Sequence, residues 1–274
     1  MAARTVAAPD AAERARRRRS RDSTLVLALQ VGLAILVIAG AYWLNAVAGK
    51  LVMPSPTDIF TQFVKLWRDG TMLKALGQSL VEMLSGFALG AVTGVVGGML
   101  LGGFRFVGRV LDPFVNAINS TPGAAFIPLI IAWFGLYTEA KVVVVWHAAF
   151  FPILIATAAG IGNANKDLVE MARSFGASRF TLFWRVMLPD AVPTILSGLR
   201  IGAAIATVGT VVAELYMAQS GLGGLLADAG ARFQMDRYFA VVIVLMALGT
   251  LITGGLKLVE NRLGRWRISQ REGR

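Results

Sequence analysis

Apolar residues gather in six long runs separated by shorter polar stretches, over about residues 25–48, 79–103, 111–134, 141–161, 193–216 and 238–259. Each run can cross a bilayer core, which takes roughly 20 residues of helix. The pattern predicts an all-α membrane protein with six transmembrane helices. Between the first two runs, Met53-Pro54-Ser55-Pro56 breaks the chain, and Thr57 to Trp67 carries apolar residues at helical spacing. That spacing predicts a short amphipathic helix lying on the outer surface. Between the last two runs, Ser220-Gly221-Leu222-Gly223-Gly224-Leu225-Leu226 predicts a tight turn before another short helix, in a loop open to an external partner.

The second run has an internal period. Gly86, Gly90, Gly94, Gly98 and Gly102 recur every fourth residue and so lie along one side of a helix. With no side chains there, a neighbouring backbone can come close and gain dispersion contacts. The seam belongs either inside one subunit or between two copies.

The connection 162–192 is the longest after the fourth run and too polar for lipid. Asp167 and Glu170 have the spacing of a capping box, and Leu168, Met171, Ala172 and Phe175 share the face of the helix that would follow. Gly176 suits the left-handed residue that ends a helix, Ser178 can cap a second one, and Pro189 is expected to stop it. Two short helices at an angle would form a knob beside the membrane.

Charge sets the expected orientation. With the N-terminus inside, 20 Lys and Arg fall on the cytoplasmic side and 7 on the external side, Lys141 among the latter. Positive residues are retained inside, so both termini are expected in the cytoplasm. Residues 1–23, Ala-rich with seven arginines, are expected to be a disordered cytoplasmic tail; residues 24–265 the membrane domain; and 266–274 a second cytoplasmic tail. A net charge of +11 would suit nucleic acid if it formed one soluble basic face, but here the cations sit between apolar runs. The expected surrounding is lipid, with no nucleic-acid partner. The chain has no cysteine, which excludes disulfides, thiolate nucleophiles and Cys-ligated metals.

Polar groups inside a span are costly and therefore functional candidates. Asn119 and Ser120 precede Pro122 in the third run and would either bond neighbouring helices or line a pathway, while Pro128 would weaken the helix again. His147, the chain's only histidine, has no second imidazole with which to hold a metal; it would bond another helix or touch a solute. Glu214, near the expected outer end of the fifth run, would either serve an external gate or reach water at the interface.

The 162–192 connection also resembles a known family. Permease subunits of ABC importers carry Glu-Ala-Ala, three residues, Gly, nine residues, Ile-x-Leu-Pro in this place. Here the chain reads Glu170-Met171-Ala172, three residues, Gly176, nine residues, Val186-Met187-Leu188-Pro189. Pro54-Ser55-Pro56, Trp133-Phe134-Gly135, Phe150-Phe151-Pro152-Ile153, Ala172 to Ser178 and Gly198-Leu199-Arg200 look like the nitrate, sulfonate and taurine branch. The resemblance covers roughly residues 50–265. It implies a permease homodimer in the inner membrane, two cytoplasmic ATPase subunits and an external substrate-binding protein. It also implies that a small anionic or zwitterionic solute is imported unmodified. Glu170, Ala172, Gly176, Leu188 and Pro189 would then belong to the loop that couples to the ATPase, with Glu170 facing its basic groups.

No Gly-x-x-x-x-Gly-Lys-Ser/Thr sequence occurs, so ATP is expected on a partner ATPase and no cofactor on this chain. A proton-coupled secondary carrier is the alternative, and it would need intramembrane carboxylate relays or inverted repeats. A membrane scaffold would leave the 162–192 motif without a role, and no nucleophile and base can be paired for an enzyme.

Overall fold

A computed structural model describes residues 9–50, 52–217 and 220–271. Among these residues the chain is helical, and its centre is three long helices. Helix α3 (Thr71–Gly103) and α9 (Leu188–Met217) pack on either side of α6 (Thr138–Gly162).

The glycine ladder explains the first of these contacts. A Cβ at Gly86 would lie 2.5 Å from Cβ of Val145, one at Gly94 2.9 Å from the Phe150 carbonyl, and one at Gly98 2.5 Å from Cβ of Thr157. Gly90 meets Ala149 in the same way. Backbone therefore touches backbone along α3 and α6, and the ladder is a seam inside the subunit. The other face of α6 is met by a second set of glycines: Gly198, Gly202 and Gly209 of α9 pack against Ala156, Ile153 and Ala148. Val145, Ala149, Ile153 and Ala206 form the core between the three helices.

The first apolar run lies in α1 (Pro9–Ala48), and among the described residues its residues 25–48 are almost wholly exposed, touching the rest of the chain only near their end, where Asn45 donates to the Met53 carbonyl. The helix begins at Pro9, within the segment expected as a tail, and residues 1–8 lie outside the described residues. Helix α2 (Pro56–Arg68) is capped by Ser55, whose hydroxyl accepts from the Asp58 N–H at 3.2 Å. It does not rest on the bundle's surface alone. Ile59 and Leu66 are buried against Met72, Leu222 and Val241, and Gln62 donates to Asp236 at 2.8 Å.

The third run departs most from expectation. Instead of one span it forms α4 (Arg105–Ser120), a 3₁₀ turn over Gly123–Phe126 and α5 (Ile127–Phe134), bent by 89°. The residue before a proline avoids helical ψ. Thr121, before Pro122, accordingly sits at φ −78°, ψ 129° and ends α4. Pro128 breaks nothing, because it lies in the first turn of α5, where a missing N–H leaves no bond unmade.

The polar connection holds α7 (Lys166–Ser174), α8 (Arg179–Leu182) and a π turn over Phe183–Met187 that leads directly into α9. Pro189 therefore does not stop a helix; it stands at the start of α9. It cannot donate to the Arg185 carbonyl, and the turn just before it widens so that the Leu188 N–H bonds Phe183. After α9 come α10 (Gly221–Ala231) and α11 (Met235–Arg271), which continues as helix through residues expected to form a C-terminal tail; residues 272–274 lie outside the described residues.

Candidate functional site

Two polar constructions stand at opposite ends of the bundle. The first is the elbow of α7 and α8. Its opening helix is capped by Asn165, not by an Asp167–Glu170 box: the Asn165 side chain accepts from the Asp167 N–H at 2.9 Å, and its own N–H donates to Asp190 at 3.0 Å. That second bond ties the elbow to the start of α9. Gly176 ends α7 at φ +75°, with the Ala177 N–H bonded to the Ala172 carbonyl and the Gly176 N–H to Arg173. This is a Schellman end, which favours glycine at that position. Ser178 caps α8, its hydroxyl accepting from the Thr181 N–H at 3.2 Å.

The elbow has one anchored side and one bare side. Phe183, Met187 and Leu188 pack onto Ile161, Ala191 and Ile195 in the core, with Pro189 half-buried beside them. Glu170 and Gly176 are exposed, Ala172 is half-buried, and the aromatic rings of Phe175 and Phe180 are 86% and 73% exposed.

The second construction lies at the other end, where α3, α6, α9 and α10 meet. Glu82 and Lys141 form an ion pair at 3.0 Å, each side chain 2% exposed. Lys141 is thus not an external loop charge. Glu214 is wholly buried and does not reach water; it accepts from the Ser79 hydroxyl at 2.6 Å and the Gly223 N–H at 2.7 Å. Ser79 in turn accepts from the Leu222 N–H at 2.8 Å, and Gln78 from the Gly221 N–H at 3.2 Å. The Lys141 ammonium also donates to the Ser220 hydroxyl. The glycine-rich segment is accordingly not an open loop. Gly221, Leu222, Gly223 and Gly224 are buried, and a Cβ at Gly221 would overlap the Glu214 carboxylate.

Of the other candidates, Asn119 and Ser120 are exposed at the end of α4, and the Ser120 hydroxyl bonds its own helix at the Asn116 carbonyl, 2.7 Å away. His147 stacks near Phe126 and Phe151, at ring distances of 4.9 and 5.3 Å, and its Nε2 has no hydrogen-bond partner among the described residues. Neither position joins the buried cluster. Sequence reading missed Glu82, Lys141, Ser79 and Gln78 as one site, because they are united only by packing between helices far apart in the chain.

A profile of the family described as "Binding-protein-dependent transport system inner membrane component" matches residues 86–265. The chain belongs to that family. Its relatives include SsuC of Escherichia coli K12, an aliphatic-sulfonate transport permease by name, 36% identical over 78% of this chain and 82% of that protein. The taurine transport system permease TauC of the same organism is 30% identical over 88% of this chain and 91% of its own length. Among solved structures, the inward-facing MetNI methionine ABC transporter superposes with a TM-score of 0.64 over 70% of this chain and 95% of the matched one, at 18% identity, which establishes the fold. This permease is therefore a multi-pass membrane subunit of an ABC importer. The ATPase is a separate subunit of such systems and a substrate-binding protein works alongside it, so the carrier, scaffold and enzyme alternatives fall away.

Proposed function

We propose that two copies of this permease form the import pathway for a small sulfonate-type solute, with both termini in the cytoplasm and the α7–α8 elbow receiving the ATPase. The observation that carries the coupling role is the elbow itself: anchored in the core through Phe183, Met187 and Leu188, it offers Glu170 and two bare aromatic rings outward. A rigid lever of this kind can pass ATPase closure to α9, which it enters without a break. The homodimer is supported by the uncovered length of α1 and by Phe106, Phe114 and Ile118, exposed on α4 beside the 89° bend. The solute class is supported by the relatives named for taurine and aliphatic sulfonates.

The test is reconstitution with the neighbouring ATPase and binding protein in proteoliposomes. Taurine or an alkanesulfonate should be taken up with ATP, and Glu170→Lys should insert normally while losing ATPase retention and uptake, because reversing a charge against basic partner groups removes an ion pair and adds repulsion. Wild-type uptake by Glu170→Lys would overturn the coupling role. Transport confined to solutes without a sulfonate would overturn the substrate class.

A further inference from the structure

The first three N–H groups of α10 are bound by side chains of other helices: Gln78 and Ser79 of α3, and Glu214 of α9. Ser220, in the position that normally supplies such a cap, does not cap its own helix. Its hydroxyl is turned instead to the Lys141 ammonium. The place of α10 is therefore set by the buried cluster, with Ser220 as its link to the Glu82–Lys141 pair.

That link also lies beside two cavities. A cavity of about 640 Å³ is lined by Phe134, Tyr137, Thr138, Lys141 and Ser220. A second, of about 440 Å³, is lined by Gln78, Glu82, Thr138 and Ser220. Ser220 and Thr138 border both, with Lys141 facing one side and Glu82 the other. The contact between Lys141 and Ser220 therefore borders the first cavity and, through Ser220, the second. Ionised groups at such depth are costly, and a buried pair is often replaceable by apolar side chains without loss of stability, so packing alone does not account for this one.

We propose that Lys141 and Ser220 form a latch that holds the start of α10 closed over the end of the bundle remote from the elbow, and that transport requires its release. The inference rests on the importer reading above. Lys141 and Ser220 are positioning residues in it: they act on α10 and need not touch solute. Glu82 holds Lys141 in place, and the bonds from Gln78, Ser79 and Glu214 to the start of α10 must open together with the latch.

The experiment uses the complete transporter in proteoliposomes. Ser220→Ala removes the hydroxyl but leaves the Glu82–Lys141 pair, and Ser220→Thr keeps a hydroxyl. With the latch gone, the ratio of closed to open states should fall about ten-fold, the effect of deleting one hydrogen bond to a charged group. Basal ATP hydrolysis without binding protein should rise, stimulation by binding protein and solute should shrink, thermal stability should change little, and Ser220→Thr should restore the wild-type ratio. The chain has no cysteine, so Thr138→Cys supplies this chain's single thiol, bordering both cavities, and labelling is read on the permease band. A membrane-impermeant maleimide should label it faster when Ser220→Ala is present. Unchanged basal hydrolysis and labelling in Ser220→Ala would overturn the latch, as would losses that track falling thermal stability. A wild-type complex that shows no stimulation would instead defeat the importer reading.

Discussion

At the residue scale a buried pair of opposite charges needs explaining. Lys141 and Glu82, each 2% exposed, are tolerable inside the bundle only as a pair. Lys141→Met should leave Glu82 buried without its cation and destabilise the permease by about 3–5 kcal/mol, whereas adding Glu82→Leu removes the orphaned charge and should recover most of that loss. Thermal unfolding in detergent of the two single variants and the double variant measures the difference. Equal stability of Lys141→Met and wild type would mean that Glu82 finds water or another partner. Hydropathy cannot show this pair beforehand. A lysine three residues into a helix after a polar turn reads as interfacial, and its partner lies 59 residues away on another helix. Glu214 was legible as a polar group within a span, but its burial depends on Ser79 and on the α10 backbone, which no local pattern reports.

At the scale of elements, the period-four glycines were the most informative pattern, because close approach leaves a trace in the sequence of the helix that permits it. Gly94 and Gly77 lie on the same helix yet should respond oppositely. A Cβ at Gly94 would stand 2.9 Å from the Phe150 carbonyl and 3.1 Å from Ile153, while one at Gly77 meets nothing within 4 Å. Gly94→Leu should force α3 off α6 and abolish the folded species in size-exclusion chromatography, since overpacking a filled seam costs about 1–3 kcal/mol or more. Gly77→Ala should leave the profile intact and stabilise α3 by about 0.5–1 kcal/mol. A normal Gly94→Leu profile would mean that the α3–α6 contact yields easily. The helix breaks were less legible than the seams. Pro122, Pro128 and Pro189 were all visible, yet only Pro122 ends a helix; Pro128 opens one and Pro189 follows a π turn that carries the chain onward. A proline signals a lost hydrogen bond without saying whether the chain bends or widens to absorb the loss. For the same reason the elbow's Gly176 turn and Ser178 cap were readable, whereas the cap at Asn165 depended on which of two polar residues began the helix.

For the whole molecule, the number of crossings follows from hydropathy, and the orientation from the distribution of cations. Among the described residues five helices are long and apolar enough to span, and six if the bent α4–α5 pair counts as one crossing, an even number that would put both termini on one side. Lys141, counted with the external cations from the sequence, is buried in the bundle against Glu82. The cytoplasmic assignment instead collects the arginine-rich start of α1, the elbow and the end of α11. Under the proposed orientation, retention of positive charge would put the elbow on the side of the ATPase and the Glu82–Lys141–Glu214 cluster on the side a substrate-binding protein would approach. Reporter fusions at residues 20, 106, 175 and 268 should all give cytoplasmic signals, and fusions at 60 and 225 external ones. The deciding position is 175, between the two helices of the elbow. An external signal there would invert the molecule, detach Glu170 and Gly176 from any ATPase, and put the latch of Lys141 and Ser220 on the cytoplasmic side.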